Sequence, residues 1–285
     1  MLNFQTPVLV SRSSTPISLG NHLMLLGSCF ADDVGRKFKE AGFDVCINPF
    51  GTLYNPRSIS SAIARMAAAK PFVEEDCVAM GAGAGLVCSF HHHSSFARPT
   101  AEEFLDNANA ALCEAHLRWE KSDRVLLTLG TAWCFRHLPE GKTVSNCLKR
   151  PAYEFERVRM SVDEVEAELH SIVRTFPEKR FFLTVSPVRH LADGANGNQL
   201  SKSTLLLAID RLAARGEVEY FPSYEIMMDE LRDYRFYAED MVHPSPVAVK
   251  HIWDRFCDFA LPRDEMQRVI ENEKAFKRSQ HRQMH

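Results

Sequence analysis

The hydrophobic residues of this chain form short unbroken runs that alternate with longer amphipathic stretches. The runs at 23–26, Arg124–Leu129 and Arg180–Val185 are too short for helices and are typical of buried parallel strands. After the first run, apolar residues recur at helical spacing at Val34 and Phe38, which predicts a helix from about Asp32 to the stop at Gly42. This alternation predicts an α/β fold, a central parallel sheet with helices on both faces in a three-layer α/β/α sandwich.

Similar patterns place the remaining elements. Further strands are predicted at 43–47 and 218–221, with one strand or a hairpin at 78–90. Helices are predicted at 57–69, 102–119, 161–175, 201–214, 224–231, 246–260 and 264–279. A capping box at Ser161 and Glu164 marks one helix start, and Ser245 followed by Pro246 marks another. The segment 142–153 lacks either period and is predicted to be an irregular loop.

Composition narrows the class of protein. With 285 residues, 45% of them hydrophobic, residues 1–285 can form one domain, in which 263–285 is a polar helical tail. The net charge of -3 gives no basic surface for nucleic acid or an anionic membrane, so neither is an expected partner. The eight scattered cysteines are typical of reduced thiols, and no leader or membrane span is apparent. We therefore expect a cytoplasmic protein, and no motif calls for a metal or another cofactor.

The turn after the first strand is the candidate site of chemistry. Gly27 allows a sharp bend, and Ser28 follows it at the carboxyl end of a strand, next to the unpaired N–H groups of a helix N-terminus. Such N–H groups can stabilise an oxyanion formed beside the serine. A serine in this position can equally be a helix cap and nothing more.

A serine hydroxyl needs an imidazole to take its proton and a carboxylate to orient that imidazole. Asp240 and His243, three residues apart on one loop, can supply both groups. The loops that carry Gly51, Thr131 and Arg189 also follow strands, so in a parallel sheet they meet His243 and Ser28 at one edge. In the plainer interpretation, Asp240 caps a turn and His243 is a surface residue at a helix entrance.

Three other groups were weighed for the same chemistry. Cys29 is a possible nucleophile, although adjacent side chains leave such a turn in different directions. His190 is a possible base, but the only carboxylate at matching spacing is that of Asp193. The run of three histidines, 91–93, invites a metal, but consecutive side chains diverge and no carboxylate is spaced to join them.

The segments named so far resemble one family. Gly27-Ser28-Cys29-Phe30-Ala31 spells the name of the GSCFA family, and four further segments resemble it in the same order: 48–56, 129–133, 185–190 and 240–245. The family is similar to the SGNH/GDSL hydrolases, and its Asp-x-x-His segment is similar to that of the PC-esterases, which act on O-acetylated sugars.

The resemblance implies a flavodoxin-like fold, with Ser28 as nucleophile, His243 as base and Asp240 as its orienter. It also implies that the N–H groups of Ser28 and Gly51 hold the oxyanion. The superfamily's third donor is an asparagine after the third strand, where this chain has Thr131. The pattern is therefore incomplete at one oxyanion donor.

Two groups are candidates for that missing donor, Thr131 itself and Asn146. Arg189 and His190, on the loop after the strand Arg180–Val185, are expected to shape the pocket or bind a polar or anionic group of the substrate.

Three functions remain open from the sequence. The first is a serine-dependent hydrolase of a small acyl ester, with an O-acetylated carbohydrate as the substrate suggested by the family's relatives. The second is an O-acyltransferase that uses the same acyl-serine. The third is a non-catalytic binding protein with a degenerate site.

Overall fold

A five-stranded parallel sheet forms the centre of the molecule. The computed structural model describes residues 6–283. The strands of the sheet are β1 His22–Gly27, β2 Asp44–Ile47, β5 Arg124–Leu129, β9 Arg180–Val185 and β10 Glu219–Tyr220. Their order across the sheet is β10-β9-β5-β1-β2, with every neighbouring pair parallel. Counted along the chain, this is the 2-1-3-4-5 order of flavodoxin-like folds.

Helices cover both faces of the sheet. They are α1 Cys29–Glu40, α2 Pro56–Ala67, α3 Ala101–Lys121, α4 Val162–Thr175, α5 Gly194–Ala214, α6 Ser223–Glu225, α7 Pro246–Ala260 and α8 Met266–Gln283. Successive residues of the central strands enter opposite cores: Val125 and Leu127 pack with α2 to α5, whereas Leu126 packs with α1 and α7. The predicted three-layer α/β/α class is confirmed.

The switch in strand order lies between β1 and β5. From β1 the chain first adds β2 on one side and then crosses to add β5 on the other, so the loops after β1 and β5 diverge at their carboxyl ends. Open α/β sheets place ligands in the crevice formed at such a point. The register pairs Gly27 with Thr128, which brings the last residue of β1 against the end of β5.

The prediction of an irregular loop at 142–153 was wrong in part. Residues Lys142–Val144 are strand β7, which pairs with β6 (Trp133–His137), and β6 also pairs with β8 (Phe155–Arg159) in a small antiparallel sheet. These strands are short and largely exposed, so they lack the buried apolar run that marks the central strands. The segment 78–90 is a hairpin of β3 (Val78–Ala79) and β4 (Val87–Cys88).

Two helices begin earlier than predicted. Helix α1 begins at Cys29 rather than Asp32, because Ser28 caps it by accepting a hydrogen bond from the N–H of Phe30. Helix α5 begins at Gly194 rather than Ser201, and its first turns contain Gly and Asn instead of apolar residues at helical spacing. In both helices, the apolar residues at helical spacing begin several residues after the first residue of the helix.

Two further predictions need smaller corrections. The predicted strand 218–221 is reduced to the two residues of the edge strand β10, and the predicted helix 224–231 is α6 followed by a π-helical turn, Ile226–Glu230. The capping box of Ser161 and Glu164 and the start of α7 after Ser245 are confirmed.

Helix α8 packs on the body through its first half. Asn272 Nδ2 donates to the carbonyl of Ala41 at 2.9 Å, and the indole N–H of Trp253 donates to Glu273 at 2.8 Å. Its side chains from 274 to 280 are exposed. Among residues 6–283 no helix is both long enough and apolar enough to cross a bilayer.

Gly27 gives a direct test of the contact between β1 and β5. A Cβ at Gly27 would lie 2.2 Å from the carbonyl oxygen of Thr128, and its φ of +146° is rarely adopted by other residues. We expect Gly27→Ala to lower the free energy of unfolding by about 3 kcal/mol, since strained backbone and a steric clash each cost on the order of 1–3 kcal/mol. Urea denaturation followed by circular dichroism measures this change.

Gly20→Ala is the matched control, because a Cβ there meets no atom within 4 Å. It should change the free energy of unfolding by less than about 0.5 kcal/mol. Equal stability of the two variants would show that the packing of Gly27 on Thr128 is not a constraint.

Candidate active site

Ser28 lies where β1 ends and α1 begins. Its N–H donates to the carbonyl of Thr128 at 3.1 Å, which extends the β1–β5 pairing by one residue. Its Oγ lies 3.3 Å from the N–H of Phe30 and 3.4 Å from the hydroxyl of Thr128. The residue is 2% exposed. The hydroxyl is thus held as a helix cap at the expected turn.

Asn48, on the loop after β2, fixes this turn from the side. Its Oδ1 accepts a hydrogen bond from the N–H of Gly27 at 2.9 Å, and its Nδ2 donates to the carboxylate of Asp32 at 2.8 Å. Burial raises the pKa of Asp32, and the hydrogen bond from Asn48 partly offsets that rise. The side chain of Asn48 therefore ties the serine turn to the first turn of α1.

Asp240 and His243 form a pair on the loop that precedes α7. Asp240 Oδ2 lies 2.6 Å from His243 Nδ1. The other oxygen, Oδ1, accepts from the backbone N–H groups of Val242 and His243, each at 2.9 Å. These backbone hydrogen bonds, followed by the imidazole contact, lower the pKa of Asp240 to about 2. The carboxylate is thus ionised near neutrality and fixes Nδ1, which leaves Nε2 as the nitrogen free to exchange a proton.

The structure brings Asp240 and His243 together but does not join His243 to Ser28. Among residues 6–280 the hydrogen-bond partners of Ser28 Oγ are Thr128 and Phe30, and His243 is not among them. The imidazole is 44% exposed. It lies close enough to α1 for its charge to affect Asp33, whose pKa is raised by burial and lowered in part by Arg36 and His243.

Both backbone groups assigned to the oxyanion are engaged elsewhere in this structure. The N–H of Gly51 donates to the carbonyl of Asn48 at 2.8 Å, and that of Ser28 donates to Thr128. The N–H of Cys29, the first residue of α1, donates to no backbone carbonyl within residues 6–283. Gly51 has a packing role, because a Cβ there would lie 2.3 Å from Cβ of His93.

The two candidates for the third donor are also engaged. The hydroxyl of Thr131 lies 2.9 Å from that of Ser201 and accepts from the N–H of Trp133 at 3.0 Å. Asn146 Oδ1 accepts from the N–H of Leu148 at 2.8 Å, within the turn that follows β7. Each side chain therefore stabilises its own loop in this conformation.

Arg189 and His190 lie on the loop after β9, as expected. The N–H of Arg189 donates to the carbonyl of Val242 at 3.3 Å, which connects this loop to the one that carries His243. His190 Nδ1 lies 3.6 Å from Asp193, whose carboxylate also contacts Arg157. Because that carboxylate is shared and the contact is long, it orients His190 less well than Asp240 orients His243. His190 is therefore the weaker candidate for the base.

The remaining candidates have structural explanations. Burial, followed by the charges of Asp33 and Asp32, raises the pKa of the Cys29 thiol to about 11, so it is not the thiolate that a nucleophile requires. His92 is fully buried, 2.7 Å from the hydroxyl of Ser89, and burial lowers its pKa to about 3. Among the described residues no three metal-binding side chains cluster.

A buried polar group beneath the site escaped the sequence analysis. Lys202 is 1% exposed, and its Nζ donates to the carbonyls of Gly130 and Ser186, both at 2.7 Å. Burial lowers the pKa of Lys202 to about 7, whereas the two carbonyls favour its charged form. The signal in the sequence was the spacing of Asn198, Ser201 and Lys202, which places all three on the buried face of α5.

Comparisons with known proteins agree with the family resemblance. Two solved structures overlap the chain. One is a Bacteroides fragilis NCTC 9343 protein described as a putative acylhydrolase, with 10% identity and a TM-score of 0.45; the overlap covers 86% of this chain and 88% of that chain. The other is a Streptococcus pneumonia protein described as a putative platelet activating factor, with 13% identity and a TM-score of 0.41; the overlap covers 83% of each chain. Both scores are below 0.5, so the fold assignment rests on the strand order described above.

A search of curated proteins gave no match. The model of the GSCFA family matches residues 22–256, which include the serine turn, the loops after β2, β5 and β9, and the Asp240 and His243 pair. The chain belongs to the GSCFA family.

Proposed function

We propose that this protein is a serine-dependent ester hydrolase in which Ser28 is the nucleophile, His243 the general base and Asp240 the orienting carboxylate. The observation that carries the proposal is the 2.6 Å contact between Asp240 Oδ2 and His243 Nδ1, on a loop bonded to the carboxyl-end edge where Ser28 lies. An ionised carboxylate on Nδ1 has a plain catalytic use, because it stabilises the imidazolium formed when Nε2 accepts a proton.

The reaction has two halves. Ser28 Oγ forms a bond to the acyl carbon while its proton passes to His243 Nε2, and the bond to the alcohol then breaks as Nε2 returns that proton to the leaving oxygen. In the second half a water gives its proton to Nε2, attacks the acyl-serine and releases the acid, with the proton restored to Ser28. No cofactor is required by these steps.

The resting hydroxyl must first leave the helix cap. Ser28 Oγ contacts the N–H of Phe30 at 3.3 Å, which is a long and weak hydrogen bond. Rotation about one side-chain bond is fast compared with turnover, and the exposed loop of His243 is the element that approaches. The cap contact therefore presents a small barrier to assembly of the triad.

The oxyanion is expected at the start of α1. The N–H of Cys29, which no backbone carbonyl among the described residues accepts, and the positive end of the helix dipole both favour negative charge there. Since Gly51 and Thr131 are engaged in this conformation, fewer donors are ready than in a complete oxyanion hole. One missing donor costs about 10²- to 10³-fold in rate, so we expect slow turnover of simple esters.

The substrate proposed is a small acyl ester, with an O-acetylated carbohydrate suggested by the family's relatives. A second candidate is O-acyl transfer to an alcohol. The observation that favours it is the 2% exposure of Ser28, because a nucleophile shielded from water can pass its acyl group to a bound acceptor. Product analysis with added sugars distinguishes the two by the fraction of acyl group recovered as ester.

Replacing the nucleophile tests the proposal. We expect Ser28→Ala to reduce kcat/KM for para-nitrophenyl acetate by about 10⁴-fold or more, because no acyl-enzyme can form. Wild-type protein should also form a covalent adduct with a fluorophosphonate, detected by the mass increase, and Ser28→Ala should not.

Cys29→Ala is the matched comparison, since it removes the neighbouring thiol and leaves the hydroxyl. It should still form the adduct. If Cys29→Ala lost the labelling and Ser28→Ala kept it, the nucleophile would be Cys29 and the assignment of Ser28 would be wrong. A folded wild-type protein that is not labelled at all would favour a non-catalytic binding role.

The orienting carboxylate has its own test. We expect Asp240→Asn to reduce kcat by about 10²- to 10⁴-fold, because the amide cannot stabilise an imidazolium or hold the same tautomer. The Asp240 pKa of about 2 lies below its ordinary value of 3.8, so the carboxylate gains its charge above that pKa and loses it only below about pH 3. Any loss of wild-type activity on acidification from pH 7 to about pH 4 is therefore protonation of another group. Full activity in Asp240→Asn would contradict the assignment.

A further inference from the structure

The guanidinium of Arg189 has no carboxylate partner among the described side chains. Within residues 6–280 its guanidinium makes no salt bridge, and its one side-chain hydrogen bond is from Nη1 to the sulfur of Met228 at 3.8 Å. Its Nε is buried and has no hydrogen-bond partner. A guanidinium has five N–H donors, so a partly buried one with a thioether as its partner is poorly satisfied.

The acidic side chains of the segment that follows Met228 are already paired. Asp229 pairs with Arg232, and Asp233 pairs with Arg235 at 3.1 Å. The charge of Arg189 reaches two tyrosines instead: burial raises the pKa values of Tyr224 and Tyr237, and Arg189 lowers each in part. The positive charge is therefore available to a ligand.

A cavity of about 460 Å³ lies against this guanidinium. Besides Arg189, its wall contains three methionines and two tyrosines, together with Leu191 and the ion-paired Arg232 and Asp233: Met227, Met228, Met241, Tyr234 and Tyr237 form its flexible and aromatic part. Methionine side chains adapt to irregular apolar groups, and the cavity is large enough for a small organic molecule. This lining suits a compound with an apolar body and one negatively charged end.

The cavity adjoins the loop of the proposed base. Met241 is in the cavity wall two residues before His243, and the N–H of Arg189 donates to the carbonyl of Val242. A molecule held by Arg189 therefore lies beside the loop that must deliver the imidazole to Ser28.

We propose that the Arg189 cavity binds a carboxylate carried by the ester substrate, so that the preferred substrates are esters with a free acid group rather than neutral acetates. This inference rests on the proposed esterase function. A carboxylate fits one guanidinium through two parallel hydrogen bonds. A phosphate dianion is a poorer match, because Arg232, the other arginine of the cavity wall, is already paired with Asp229, and Arg189 alone would leave part of the dianion's charge uncompensated.

The test compares two esters of similar length, the para-nitrophenyl half-ester of glutaric acid and para-nitrophenyl pentanoate. Arg189→Gln should raise KM for the glutarate half-ester about 10- to 100-fold, as expected for loss of a charge-assisted pair, and change KM for the pentanoate less than about threefold. Arg189→Lys should restore part of the loss. Equal losses on both esters, or no preference of the wild type for the charged one, would overturn the proposal.

Arg136→Gln is the control, because Arg136 is paired with Glu156 and lies outside the wall of this cavity. It should leave the preference for the charged ester intact. Thermal melting of each variant separates loss of binding from loss of fold.

Calorimetric binding of glutarate to Ser28→Ala distinguishes failure of this inference from failure of the esterase proposal. Binding that is lost in Ser28→Ala/Arg189→Gln supports the cavity even if neither ester is hydrolysed. No binding of glutarate, or tighter binding of inorganic phosphate, overturns the carboxylate assignment whether or not Ser28 proves to be catalytic. Acetyl esters of hydroxy acids then show whether the carboxylate belongs to the acyl group or the alcohol.

Discussion

The close approach of β1 to β5 at Gly27 is the contact on which the site depends. Since no Cβ fits between this residue and the carbonyl of Thr128, the pairing of the two strands continues to the N–H of Ser28. Asn48 fixes the turn that follows, because its Oδ1 accepts a hydrogen bond from the N–H of Gly27. The serine consequently caps helix α1 at the switch point of the sheet, where a backbone N–H and the helix dipole are available to an anion.

Lys202 stabilises the neighbouring part of the same edge. Gly130 and Ser186 directly follow the strands β5 and β9, and both residues are buried. Buried carbonyls need donors, and one ammonium satisfies both at 2.7 Å. The loops that carry Thr131 and Arg189 are thereby anchored from below. The loop of Asp240 and His243 is exposed and is joined to the loop of Arg189 by a backbone hydrogen bond. The edge of the sheet therefore combines buried, hydrogen-bonded loops with one exposed loop that can approach Ser28.

The fold was predictable because its signals are local. The runs Arg124–Leu129 and Arg180–Val185 are buried from Val125 and Phe181 onwards and match the observed strands residue for residue. The pairing of Asp240 with His243 followed from their spacing on one loop. The roles of Thr131 and Gly51 could not be predicted in this way, because they depend on contacts with Ser201 and His93, which are remote in sequence. Lys202 was missed since a lysine in an amphipathic helix is ordinarily solvent-exposed.

The central claim is that Ser28 and His243 work as one unit although no hydrogen bond joins them in this structure. A crystal structure of the protein after reaction with a fluorophosphonate tests this most directly. The account predicts phosphorus bonded to Ser28 Oγ, a phosphonyl oxygen within about 3 Å of the N–H of Cys29, and His243 Nε2 within about 3.2 Å of an oxygen on the adduct. An adduct on another residue, or an imidazole more than about 6 Å from the bound group, would contradict it.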